Sequence, residues 1–137
     1  MGSIIILGNI PAVVRTPTVA ELDAIAALER SSYASDEAAS AAALAHRLAV
    51  APELFVGAYE AKSQALLGFV CGTRSPRQLT EESMSGHDPD GPLVCIHSVV
   101  VRADARRQGV ASALVHERVL TEGLAVEAAP VLLGTSG

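Results

Sequence analysis

One polar ring interrupts an apolar, β-type run: Val94-Cys95-Ile96-His97-Ser98-Val99-Val100-Val101. A histidine held in a strand is a candidate general base, because its ordinary pKa lies near neutrality. A few residues on, Arg106, Arg107, Gln108, Gly109, Val110, Ala111 and Ser112 make a charged turn that opens into a helical pattern. The first amides of a helix have no intrahelical partners and can donate to phosphate oxygens. Gly109 allows close backbone approach, Ala111 is too small to obstruct it, and the arginines add positive charge. Taken alone, Arg-x-x-Gly-x-Ala fits a capped helix with solvated arginines, and a strand histidine fits a satisfied core residue. Strand followed directly by loop shifts the balance toward a base beside an anion cradle.

The elements that must position these residues follow from periodicity and caps. Thr18-Val19-Ala20-Glu21 is a capping box, and Leu22, Ile25, Ala26 and Leu28/Glu29 follow at helical spacing, so residues 19–31 are expected as a helix. Ser40 can cap a second helix over 41–50, with Leu44 and Leu48 on one face and Pro52 beyond its end. Residues 54–59 and 66–73 read as a β-hairpin, and 74–92 as a polar loop with a helical turn near 79–85. Residues 93–101 are the strand that carries His97, and simple alternation puts Cys95, His97, Val99 and Val101 on one face. A helix over 109–122 and a short strand over 130–134 complete the order β-α-α-β-β-β-α-β.

Composition bounds the function classes. A chain of 137 residues, half of them apolar, is one domain with a real core. It has no Trp and only 3% aromatic residues, so the core is expected to be aliphatic and any aromatic-lined pocket sparse. A net charge of −5 argues against nucleic acid, which needs a basic face. Cys71 and Cys95 both fall in strands and read as reduced, buried thiols, with neither a disulfide framework nor a metal site. The apolar start, Ile4 to Leu7, lacks a basic flank and is too short to span a bilayer. Residues 1–12 are expected as a first strand or a disordered leader, and the protein as cytoplasmic and off the membrane.

The chain resembles the GCN5-related N-acetyltransferase superfamily, and within it the arylalkylamine (serotonin) N-acetyltransferases. The residues from Arg106 to Ala111 match the superfamily's acetyl-CoA motif. Cys95-Ile96-His97 matches the narrower family's His-x-His strand with its second histidine kept. Pro52-Glu53-Leu54 and Gln78-Leu79-Thr80-Glu81-Glu82-Ser83 resemble further family segments, and the likeness extends over residues 13–136.

The resemblance implies a mixed α/β fold: a central mixed sheet flanked by helices. It implies acetyl-CoA as co-substrate, no metal, and transfer of an acetyl group to a primary amine, an arylalkylamine first. Polyamines or peptide amines are alternative acceptors, and a noncatalytic acetyl-CoA-binding fragment is the alternative of another class. His97 would act as base through water. The backbone at Val99, Val100 and Val101 would align the pantetheine arm, and Arg106 to Ser112 would hold the pyrophosphate. Tyr33 and Cys95 would shape the amine pocket. Cys95 stands where the family has its first histidine. Set against the family, the chain is expected to stop before a final helix, two strands and the tyrosine that serves as acid, since no tyrosine follows Tyr59. The exposed last strand then suggests a homodimer. Glu81, Glu82, Asp88 and Asp90 either attract an amine cation or form a solvated acidic loop.

Overall fold

The computed structural model describes residues 3–33, 38–76, 86–116 and 125–128. Two N-terminal strands, β1 (Ser3–Leu7) and β2 (Ile10–Arg15), form a hairpin through Gly8 and Asn9, pairing from Ser3 with Val14 to Leu7 with Ile10. This adds one strand to the expected order. On β1, Ile4 and Ile6 point outward and stay exposed.

A 3₁₀ turn (Val19–Glu21) leads into α1 (Leu22–Ser32). Glu21 reaches back as the capping box requires, its Oε1 accepting from the Thr18 amide at 2.7 Å. The same carboxylate takes both Arg15 guanidinium nitrogens at 2.8 Å and the Tyr59 hydroxyl at 3.3 Å. Arg15 also lies over the Tyr59 ring, 3.8 Å from its centroid. The Arg15 bonds hold the Glu21 carboxyl down at about 2. This node ties the entry of α1 to β2 and to the next strand. The second helix, α2 (Ala41–Val50), starts at its expected cap: Ser40 Oγ accepts from the Ala43 amide at 3.1 Å.

Beyond a 3₁₀ turn over Pro52–Leu54 come β3 (Phe55–Glu60), β4 (Leu66–Ser75) and β5 (Leu93–Val101). Strands β1 to β5 pair antiparallel in chain order. Helix α3 (Val110–Leu114) follows, then β6 (Ala125–Ala128), which pairs parallel with β5 from Leu93–Ala125 to Ile96–Ala128. Parallel neighbours need a crossover, and α3 lies on it. The expected last strand at 130–134, the turn at 79–85 and the helix beyond residue 116 lie outside the described residues.

The core has two layers. One face of the sheet carries Val56, Val70, Val94, Ile96, Val99 and Val101 against Val110 and Leu114 of α3. The other carries Phe55, Phe69, Cys71 and Val100 against Ile25 and Ala26 of α1 and Leu44 and Leu48 of α2. Phe55 and Phe69 stack at 5.9 Å between centroids, so the few aromatics of this chain are concentrated beneath the helices.

These faces correct the simple alternation of β5. Cys71 pairs with Ser98, but the next residue, Gly72, pairs with Ile96. His97 is therefore the extra residue of a β-bulge, which shifts the phase of everything after it. Val99 and Val101 fall on the α3 face, opposite Cys95. Cys95 shares the helix face with its ladder partner Thr73, and His97 is hydrogen-bonded to that same Thr73.

Candidate active site

The bulge decides what His97 can do. Its ring Nε2 and the Thr73 hydroxyl are 2.8 Å apart. If Nε2–H donates to Thr73, Nδ1 keeps a free lone pair and can take a proton. Burial, with a smaller push from the Arg47 guanidinium, lowers the His97 pKa to about 4. The imidazole is thus neutral at physiological pH, with a nitrogen able to accept a proton but a lower basicity than an ordinary histidine.

Past the bulge, β5 turns its backbone groups to an edge that no strand covers among the described residues. In an antiparallel ladder the N–H and C=O of one residue share a side, and sides alternate along the strand. The Arg102 amide bonds to Leu67 O on β4 at 2.7 Å, so Val99 and Val101 face away from β4. Their carbonyls take side-chain donors instead: the Tyr33 hydroxyl at 3.4 Å and Arg106 Nε at 3.2 Å. Among the described residues β6 pairs with β5 only over Leu93–Ile96. Beyond that point the edge at Val99 and Val101 is the place where a linear group can add backbone hydrogen bonds.

The loop after β5 has the backbone geometry expected of an anion cradle. A 3₁₀ turn (Ala103–Ala105) precedes Arg106. Arg107 and Gly109 then adopt left-handed backbone, with φ of 65° and 81°. For an arginine this conformation is uncommon and mildly costly. Such turns direct successive amides toward one side. The amides of Val110, Ala111 and Ser112 precede Ala113, whose N–H bonds to Gly109 O at 3.0 Å. A side chain at Gly109 would meet nothing within 4 Å, so the backbone there borders open space. Gly68 seats the helix: a Cβ on it would lie 2.6 Å from Val100 O and 3.2 Å from Val110 Cγ1. The Gln108 side chain lies against Gly8 of the first hairpin, so Gln108 can offer the cradle only its backbone.

Residues 20–122 match the acetyltransferase (GNAT) family.

This chain belongs to the GNAT acetyltransferase family.

Solved structures agree on the fold of this GNAT chain. The loading GNATL domain of CurA from Lyngbya majuscula superposes with a TM-score of 0.69 at 15% identity, over 80% of this chain and 57% of that one. The GphF GNAT-like decarboxylase in complex with isobutyryl-CoA gives 0.68 at 23%, over 76% and 55%. The GNAT family N-acetyltransferase YhbS from Escherichia coli, in complex with CoA, gives 0.56 at 26%, over 79% and 54%. The chain thus spans little more than half the length of these structures. A search of curated proteins finds no match.

The GNAT fold brings His97, Cys95, Tyr33 and the edge at Val99 and Val101 to one region of β5, with the cradle from Arg106 to Ser112 directly after it. Tyr33 ends α1, and its ring is half-buried. Cys95 is fully buried and free of disulfide. Three polar residues of the same region are new: Thr73, Glu29 and Arg47. Glu29 is 1% exposed, and its Oε2 accepts from the Ala39 amide at 2.8 Å and the Ser98 hydroxyl at 3.3 Å. It thereby clamps both ends of the α1–α2 connection to β5. The signals existed: Glu29 lies one helical turn from Ile25, and Arg47 one turn from Leu44, each on its helix's inward stripe. Among the described residues no cluster of metal-binding side chains occurs.

Proposed function

We propose that this GNAT chain transfers an acetyl group from acetyl-CoA to a primary amine. The observation that carries the proposal is the β5 bulge, which sets a neutral, hydrogen-bonded imidazole beside a strand edge that runs into an anion cradle. The residues fit the donor: open space borders Gly109 where any other side chain would stand, and the adjoining amides are free of helical partners. When bound, acetyl-CoA supplies an acetyl group activated as a thioester.

The chain's own residues have separable tasks. Arg106, Arg107 and the amides from Gln108 to Ser112 hold the diphosphate. The edge groups of Val99 and Val101, with Val100 locking the strand to β4, align the pantetheine arm. Thr73 anchors the His97 ring at Nε2; with Nε2–H donating to the hydroxyl, Nδ1 takes the proton that the acceptor ammonium must lose, through water. Tyr33 borders the acceptor. The segment resemblance makes arylalkylamines the first acceptors to test, with polyamines and peptide amines beside them.

A second reading is removal of CO2 from a carboxylated acyl-CoA, the carbon that loses it taking a proton. The fold likeness to the GphF decarboxylase supports it, and Arg47 favours it, as a cation whose charge reaches His97. Thiol release from acetyl-CoA across an amine panel, run against CO2 release from malonyl-CoA, separates the two. Amine-dependent thiol release with an N-acetylated product is expected. CO2 release without amine acetylation would reverse the assignment.

A further inference from the structure

Cys71 and Ser98 are direct partners across β4 and β5. Two helices each set a charge on that pair. From α1, Glu29 bonds to Ser98; from α2, Arg47 Nη1 lies 4.0 Å from Cys71 Sγ. The two charges do not meet, and among the described residues Arg47 makes no ion pair. Glu29 spends one oxygen on Ser98 and Ala39, and its other oxygen is buried without a partner.

The thiol does not neutralise Arg47. Burial pushes the Cys71 pKa up to about 11, so the sulfur is uncharged at neutral pH. His97, one residue from Ser98, also feels the Arg47 charge, and it too stays neutral. A half-buried guanidinium therefore stands beside a neutral thiol, and the Glu29 carboxylate, bonded to Ser98 across the pair, makes no ion pair with it. Guanidinium is always charged, weakly hydrated and shaped to take a carboxylate through two parallel hydrogen bonds. An arginine on the inward stripe of a helix loses hydration, and an anionic ligand restores that loss.

We propose that Arg47 is a carboxylate receptor, so that the site takes a substrate carrying a carboxylate within reach of His97. The inference rests on the acyl-CoA reading above and narrows its substrate class. The carboxylate belongs either to the acceptor, an amino-acid-type amine, or to the acyl group of the thioester. Simple alkylammonium acceptors gain nothing from Arg47 and are repelled by it.

The test compares matched acceptors with and without the carboxylate: tryptophan with tryptamine, and lysine with cadaverine. In a second arm, malonyl-CoA is compared with acetyl-CoA. Wild type should favour the carboxylated member of one arm by about 10- to 100-fold in kcat/KM, the worth of a charge-assisted pair. R47Q should bring that ratio to near one by raising KM, and R47K should keep part of it. An independent readout is the His97 imidazole followed by NMR. A carboxylated ligand should raise its pKa in wild type but not in R47Q, because the ligand cancels the Arg47 charge. If amines are acetylated with no regard to a carboxylate and R47Q affects both members alike, the receptor is refuted and acetyl transfer stands. If no amine is acetylated, yet carboxylated probes shift His97 in an Arg47-dependent way, acetyl transfer falls and the receptor stands. Absence of both effects refutes both.

Discussion

Replacing His97 by glutamine should make the protein less sensitive to acid, the reverse of what loss of a buried hydrogen-bonding ring usually does. The imidazole's ordinary value of 6.5 falls to about 4 in the fold, chiefly through burial. At about 1.4 kcal/mol per tenfold change in proton affinity, the folded state prefers the neutral ring by about 3 kcal/mol. The unfolded chain has no such preference. Between pH 6.5 and pH 4 it binds a proton that the native state refuses, so stability falls as pH falls through that window. The contribution is complete above pH 6.5 and gone below pH 4. From pH 7 to pH 5 the loss from this one ring comes to about 2 kcal/mol. Urea unfolding followed by far-ultraviolet circular dichroism at those two pH values measures it. Wild type should lose about 2 kcal/mol more than H97Q. The other three histidines contribute equally to both proteins and cancel. Equal losses in wild type and variant, or a His97 titration near 6.5 by NMR, would refute the buried neutral ring.

Further outcomes follow from the same geometry. T73V removes the hydroxyl that anchors the His97 ring at Nε2, so kcat should drop about 10-fold while the KM for acetyl-CoA holds, as steady-state kinetics will show. G68A drives a methyl group into Val100 O and the side chain of Val110; it should cost about 1–3 kcal/mol by chemical denaturation and weaken acetyl-CoA binding by tilting α3. E21Q removes a carboxylate held at about 2 by Arg15. Stability from that group is present above its ordinary value of 4.5 and lost as pH falls toward 2, so melts across that range should be flatter for E21Q than for wild type.

Much of this architecture was legible in the chain itself. Helix α2 begins at its Ser40 cap and β5 occupies residues 93–101, because caps and long apolar runs are local signals. The bulge at His97 was not legible. Every neighbour in β5 apart from Ser98 is apolar and both faces are buried, so no polar residue marks the change of phase. Only the pairing with β4 reveals it, and that register is a tertiary fact. Thr73 carries no local signal for the same reason, since its meeting with His97 depends on the bulge. Glu29 and Arg47 were visible as charged residues on apolar stripes. Their roles depend on which strand residues those stripes cover. The first hairpin braces the loop after β5 through Gly8 and Gln108, a contact between segments about a hundred residues apart that no local pattern encodes.

Calorimetric titration of acetyl-CoA into wild type and G109A tests the central claim most directly, that the loop from Arg106 to Ser112 cradles an acyl-CoA. A Cβ at Gly109 clashes with nothing in the protein, so G109A carries only the cost of its left-handed backbone, about 1–2 kcal/mol of stability, and remains folded. Wild type should bind saturably and one-to-one, and G109A at least about 10-fold more weakly, because its methyl group intrudes where the diphosphate meets the amides. No saturable heat with wild type, or equal affinity in the two proteins, would contradict it.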